Sequence, residues 1–229
     1  LPNAGACPSR SNGYERSADG SVAVGLSWDG CSGRGFIWTE ATGMLPLETL
    51  ANGGNRASVV SADGTVIGGF AQSATRTPAR WMSDLSGETL DPGGIVGEVH
   101  GISDDGQILL CQWDQLARIW TEEGCLEVIG AGSVLAGWRG IPMDISSNGT
   151  IVGFDILITN RRAWIQPDGE GDLVDLRLWV NTNGGFVPNG VTLHVAQAIA
   201  ADNRRIIGHT AFTGAWMITV EIGADINGD

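Results

Sequence analysis

Five copies of one short pattern run through nearly the whole chain and limit what it can fold into. They are Ser17-Ala-Asp-Gly-Ser-Val-Ala-Val-Gly25, Ser61-Ala-Asp-Gly-Thr-Val-Ile-Gly-Gly69, Ser103-Asp-Asp-Gly-Gln-Ile-Leu-Leu-Cys111, Ser146-Ser-Asn-Gly-Thr-Ile-Val-Gly153 and Ala200-Ala-Asp-Asn-Arg-Arg-Ile-Ile-Gly208. The turn residues Asp19, Asp63, Asp105, Asn148 and Asp202 are separated by steps of 44, 42, 43 and 54 residues. A second mark follows each turn, an apolar stretch ending in Trp38, Trp81, Trp120, Trp164 or Trp216. A fixed period of this length is the signature of a repeat architecture, in which each unit is one supersecondary module.

Each module reads as β-strands. Asp-Gly or Asn-Gly between apolar runs predicts a tight hairpin of type I′, whose two central residues both need positive φ. A short strand precedes the turn, as in His100-Gly-Ile-Ser103, and a β-branched strand follows it, as in Thr65-Val-Ile67. The tryptophan stretch is a third strand. A fourth follows a glycine turn, as in Gly43-Met-Leu-Pro-Leu47 and Gly171-Asp-Leu-Val-Asp-Leu176. Four antiparallel strands in about 43 residues match one propeller blade. The expected fold is therefore all-β, a five-bladed β-propeller of four-stranded antiparallel blades spanning residues 13–222. A blade is apolar on both faces and needs neighbours to cover it. Trp38, Trp81, Trp120, Trp164 and Trp216 are then expected as fillers between blades. One or two helical turns are expected only at Leu176–Asn181, inside the long fourth step. The fifth unit ends without a fourth strand, and an open strand edge invites pairing. Residues 1–12 are expected either to close that edge in the same chain or to close it in a neighbour.

The Ser-x-Asp-Gly-x-x-Val-Gly strand pair with its small-aromatic-x-Trp strand resembles the bacterial extracellular HAF-type repeat family across residues 13–218. The Leu176–Trp179 stretch of the long step is similar to that family too. The resemblance implies a propeller-like domain at the cell surface; a shared activity does not define the family. Cys111, Phe154 and Asn203 depart from its glycine positions. The acidic end, residues 223–229, resembles the start of a dockerin-type repeat. Asp225, Asn227 and Asp229 match positions 1, 3 and 5 of a calcium loop. The later ligands are missing from the pattern, so it reads as a remnant or an acidic tail, and neither a metal nor a cofactor is expected.

Composition narrows the partners. All 13 basic residues are arginine, and against 26 acids the net charge is −13. Nucleic-acid binding needs a basic face, and an anionic membrane repels such a chain, so neither is expected as a partner. No apolar run approaches the ~20 residues of a membrane helix. A start at Leu1 rather than Met suggests a processed or cut chain. Cys7, Cys31, Cys111 and Cys125 show no CxxC spacing. An even count in an acidic chain predicts a secreted protein with two disulfides, the connectivity being open; four free thiols are the competing reading. The most local pairing, Cys7 with Cys31 and Cys111 with Cys125, would set the second couple at opposite ends of a blade.

Chemistry is harder to find. No Gly-x-Ser-x-Gly elbow, phosphate loop or His-Glu-x-x-His motif occurs. His100, His194 and His209 have no apparent third ligand to join them on a metal. More pointed are the aromatic-acid pairs just past the second strands: Trp28-Asp29, Trp113-Asp114 and Phe154-Asp155, with Phe70 in the second unit. If the blades share register, these ring one face of the disc. Aromatic faces stack on sugars and carboxylates accept sugar hydroxyls. The bland alternative is that the aromatics pack between blades and the aspartates cap loops. Every strong motif is spent on the blade itself. The leading expectation is thus a non-catalytic extracellular building block that self-associates into a homopolymer or joins cell-surface components. A lectin-like glycan-binding propeller comes second, and a glycosidase using Asp29, Asp114 or Asp155 third.

Overall fold

The computed structural model describes residues 10–28, 32–90, 96–123, 127–210 and 214–220. The chain forms an all-β fold of five antiparallel sheets, one per repeat. The first holds β1 (Arg10–Arg16), β2 (Val22–Trp28), β3 (Gly33–Thr39) and β4 (Gly43–Pro46). The second holds β5 (Asn55–Val60), β6 (Val66–Gln72), β7 (Arg76–Met82) and β8 (Gly87–Thr89). The third holds β9 (Gly97–Ile102), β10 (Leu109–Trp113), β11 (Leu116–Trp120) and β12 (Glu127–Val128). The fourth holds β13 (Arg139–Ile145), β14 (Ile151–Leu157), β15 (Asn160–Gln166) and β16 (Val174–Asp175), followed by helix α1 (Leu176–Thr182). The fifth holds β17 (Val195–Ile199), β18 (Arg205–His209) and β19 (Ala215–Thr219), with no fourth strand among the described residues. β1 starts at Arg10, so the first sheet takes in the last residues of the segment set apart as 1–12.

The chain divides into two compact units, Leu1–Asp114 with Trp120–Gly124 and Gln115–Ile119 with Cys125–Asp229. In the first, Val24 and Ile37 from the first sheet meet Ala57, Ile67, Ala79 and Trp81 from the second. In the second, Val152, Ala163 and Ile165 of the fourth sheet pack with Ala196, Ile199 and Ile206 of the fifth. Helix α1 adds Leu176, Trp179 and Val180 to that core, and Asp175 caps it by accepting the Leu178 N–H at 2.9 Å.

The turns correct the hairpin expectation. Only the glycine is left-handed, with φ of 75° at Gly20, 77° at Gly64, 72° at Gly106 and 91° at Gly149, and Asn203 takes that role at 58°. The preceding residue does not share that conformation, so these are not type I′ turns. A side-chain clasp does the work instead. The Ser61 hydroxyl donates to Asp63 Oδ1 at 2.7 Å, Oδ1 accepts the Thr65 N–H at 2.9 Å, and the Ser61 oxygen accepts the Val66 N–H at 3.0 Å. The first turn repeats this with Ser17 and Asp19, the third with Ser103 and Asp105. In the fourth, Ser146 donates to Asn148, which accepts the Thr150 N–H. Turns also bond to turns. Ala18 N–H donates to Ala62 O and Ala62 N–H to Asp104 O, both at 2.9 Å, and Ser147 N–H donates to Ala201 O at 3.3 Å.

The first strand of every sheet carries a bulge, and in four of the five the repeat's second glycine stands beside it, with Cys111 in that place in the third. The pairing register slips at Tyr14, Ser58, His100, Met143 and Gln197. The bulge turns a carbonyl onto the neighbouring strand, so a Cβ at Gly69 would lie 1.8 Å from Arg56 O and one at Gly208 would lie 2.0 Å from Val195 O. The same bare backbone receives a ring from the third strand. Trp164 covers Gly153, Trp216 covers Gly208 and Phe36 covers Gly25. In the fourth and fifth sheets the two marks of the repeat are thus one packing arrangement; in the second, Trp81 lies against Gly87 instead.

Four of the five expected filler tryptophans pack inside their own unit. Trp81 and Trp164 are fully buried, Trp120 is buried under the Arg80 guanidinium 4.5 Å away, and Trp216 packs partly against the second core. Trp38 departs from the expectation. Ile37 points into the core shared with the second sheet, so strand alternation sends Trp38 to the other face, where it is 37% exposed. Cys111 is a buried free thiol, which corrects its reading as half of a disulfide; Cys7, Cys31 and Cys125 lie outside the described residues. The calcium-loop residues Asp225, Asn227 and Asp229 lie outside them as well.

Candidate functional site

A cavity of about 480 Å³ opens within the first unit, at the strand ends opposite the Asp-Gly turns. Sheet registers bring its wall together. Trp28 ends β2 opposite Gly33, which opens β3 just before Arg34. In the second sheet Arg56 pairs with Phe70 and Gln72 pairs with Arg76. All of these residues line the cavity, joined by the loop Asn52-Gly53-Gly54. The loop lies against β6 through bonds from Gly53 N–H to Gln72 O and from Gln72 N–H to Gly54 O, each 2.8 Å. A Cβ at Gly53 would lie 2.4 Å from Gln72 O, so glycine is what permits the approach.

Trp28 is 41% exposed and offers the wall an apolar ring. Phe70 is nearly buried, and its ring is covered by cations. The Arg56 guanidinium stands 4.9 Å from its centroid and that of Arg76 4.5 Å. Phe70 therefore acts by orienting arginines, not by stacking on a ligand. Arg56 also lies 5.3 Å from the Tyr14 centroid and bonds Ser58 Oγ through Nε at 3.1 Å. Behind them the buried Glu98 carboxylate is bonded by both Arg56 and Arg76, the latter at 2.9 Å. Two cations share that one anion. The field reaches the partly buried His100, which is pushed down to about 4, first by burial and then by Arg56 and Arg76. The Asn55 amide is occupied structurally, accepting from Gly35 N–H at 2.7 Å and donating to Glu48 O at 2.8 Å.

The remaining members of the expected aromatic-acid ring do something else. Trp113 is 3% exposed and Phe154 is 8% exposed with Arg161 over its ring, so both are packing residues. Asp155 is fully buried. One oxygen accepts the Ser133 hydroxyl at 2.9 Å and the backbone N–H groups of Val134 at 2.7 Å and Leu135 at 3.2 Å. Burial raises its carboxyl above the usual range, against the opposing pull of these donors and the Trp164 indole. It fastens a loop and has no face for a ligand. Asp114 sits on an exposed tight turn at φ 48° beside Gln115 at 67°. Asp29 lies outside the described residues.

Sequence reasoning found Trp28 and Phe70 but missed Arg34, Arg56, Arg76 and Glu98. The available signal was position: Arg34, Arg56 and Arg76 all sit within two residues of a strand start, at the rim where β2 and β6 end. Among the described residues no group of three His, Cys, Asp or Glu side chains is placed to hold a metal ion.

No protein-family model matches the chain, and no match was found among curated proteins. Solved structures are similar in fold. TolB from Acinetobacter baumannii matches with a TM-score of 0.57 at 14% identity, over 87% of this chain and 48% of that one. A TolB candidate from Agrobacterium tumefaciens matches at 0.58 and 14%, over 93% and 78%. One of two prolyl endopeptidases matches at 0.52 and 14%, over 86% and 32%. The chain spans about half the length of the Acinetobacter protein. At this identity the likeness concerns fold alone, and it supports a propeller scaffold. No helix among the described residues is long and apolar enough to cross a membrane.

Proposed function

We propose that this chain is a non-catalytic extracellular binding protein, a five-bladed propeller that holds a saccharide in the cavity beside Trp28. The observation that carries the reading is the meeting of a 41% exposed indole with polar strand ends around about 480 Å³ of open space. A sugar ring offers an apolar face to such an indole and hydroxyls to the surrounding polar groups. The glycosidase alternative loses one of its three acids, because Asp155 is consumed by Ser133, Val134 and Leu135. Five sheets on one repeat, with bonds running turn to turn, favour the propeller form.

The test is a calorimetric screen against neutral and acidic oligosaccharides with the natural protein and Trp28→Ala. Trp28 is exposed enough that its removal leaves the fold intact. Binding by the natural protein that vanishes in the variant is expected; binding indifferent to Trp28 overturns the reading.

A second role, self-association, is favoured by the fifth sheet. Ile207 and Met217 are cross-strand partners there, 46% and 61% exposed on one face. Light scattering on Ile207→Ser with Met217→Ser tests it. A drop from assembly to monomer is expected, and an unchanged mass distribution removes the idea.

A further inference from the structure

Resting on the saccharide reading, we propose that the ligand of the Trp28 cavity is acidic, a pyranose carrying a carboxylate of the hexuronate class, whose anion the cavity's arginines hold. The chain as a whole has 26 acids against 13 arginines. Arg34, Arg56 and Arg76 all line the cavity, and none of its described lining residues is acidic. The carboxylate nearest to hand, Glu98, is buried behind the wall and shared by two guanidiniums, so it cannot cancel both charges. Arg76 remains half exposed at 50% and Arg34 is exposed, and both line the open space. The Phe70 ring between Arg56 and Arg76 fixes their planes before a ligand arrives. A guanidinium fork presents paired N–H donors at the spacing of carboxylate oxygens. The indole of Trp28 beside that fork suits a ring with an apolar face and an anionic edge, which a uronate has and a neutral sugar lacks.

The experiment compares a short oligoglucuronate with its methyl ester, which keeps the ring and masks the anion, by calorimetry on the full chain. The acid is expected to bind about tenfold tighter or more, the weight of one charge-assisted hydrogen bond. Arg76→Gln and, separately, Arg34→Gln should each erase most of that preference while leaving ester binding in place. Arg34→Gln spares the Glu98 cluster, so it remains informative if Arg76→Gln fails to fold; Arg204→Gln, far in sequence on an exposed turn, should change nothing. An ester that binds as well as the acid overturns the anionic ligand and leaves the saccharide reading standing. If saccharides of neither kind bind, both fall.

Discussion

Hydrogen bonds from the Ser21 backbone, the Ser17 hydroxyl and the Ser21 hydroxyl pull the Asp19 carboxyl down to about 2. Asp63 and Asp105 are lowered by the same kind of clasp, so at each of these turns one carboxylate sets the geometry. A folded pKa below the unfolded value means stability that is full above the unfolded value of about 3.9 and lost as pH falls through the folded one. Carbon-detected NMR titration should find the Asp19 midpoint at about 2, and a midpoint at the ordinary carboxylate value would contradict the clasp. Asp63→Ala should cost about 1 kcal/mol in denaturant unfolding, since it strands the Ser61 and Thr65 donors. Cys111 is the opposite case: burial pushes its thiol up, so it should resist alkylation at about pH 8 in the native state and react on unfolding, as peptide mapping would read. The turn acids were legible in the sequence because a clasp is local. Asp155 was not, because its donors Ser133, Val134 and Leu135 come from a loop some twenty residues away.

At the scale of the element, strands and their order follow from the repeat, while the bulges do not. A bulge needs an extra residue opposite one partner, and the sequence shows only its consequence, a glycine where the bulged carbonyl turns inward. Gly69→Ala should therefore cost about 2–3 kcal/mol, since the new Cβ meets backbone that cannot swing aside. The tryptophans divide by the face they occupy. Trp81→Ala empties a fully buried site and should cost about 3–5 kcal/mol, whereas Trp38→Ala, from a half-open face, should cost much less; thermal melts of the two variants read the contrast. Equal losses would mean that Trp38 is buried after all. One recurring mark in the sequence thus covers two environments, because strand alternation and the neighbouring sheet, not the residue type, decide which face is covered.

For the whole molecule, repetition of the blade does not mean repetition of the site. Trp28 and Phe70 line one cavity, while Trp113, Phe154 and Asp155 are buried in packing. They do not share one register either: Phe70 and Phe154 stand one residue past the strand's bulge-facing glycine, Trp28 stands three past it, and Trp113 stands two past Cys111. The aromatic members of the site could be read from their place near the ends of the second strands. Its arginines could not, because they come from three strands and face the cavity only once the first and second sheets lie side by side. A ring of like sites would bind several ligands per chain, whereas on the proposed reading the single cavity beside Trp28 would take one. Isothermal titration of the natural protein with the tightest oligosaccharide of the screen tests this most directly. One saccharide per chain, with binding abolished in Trp28→Ala, is the predicted result; several per chain, or full binding without Trp28, would contradict it.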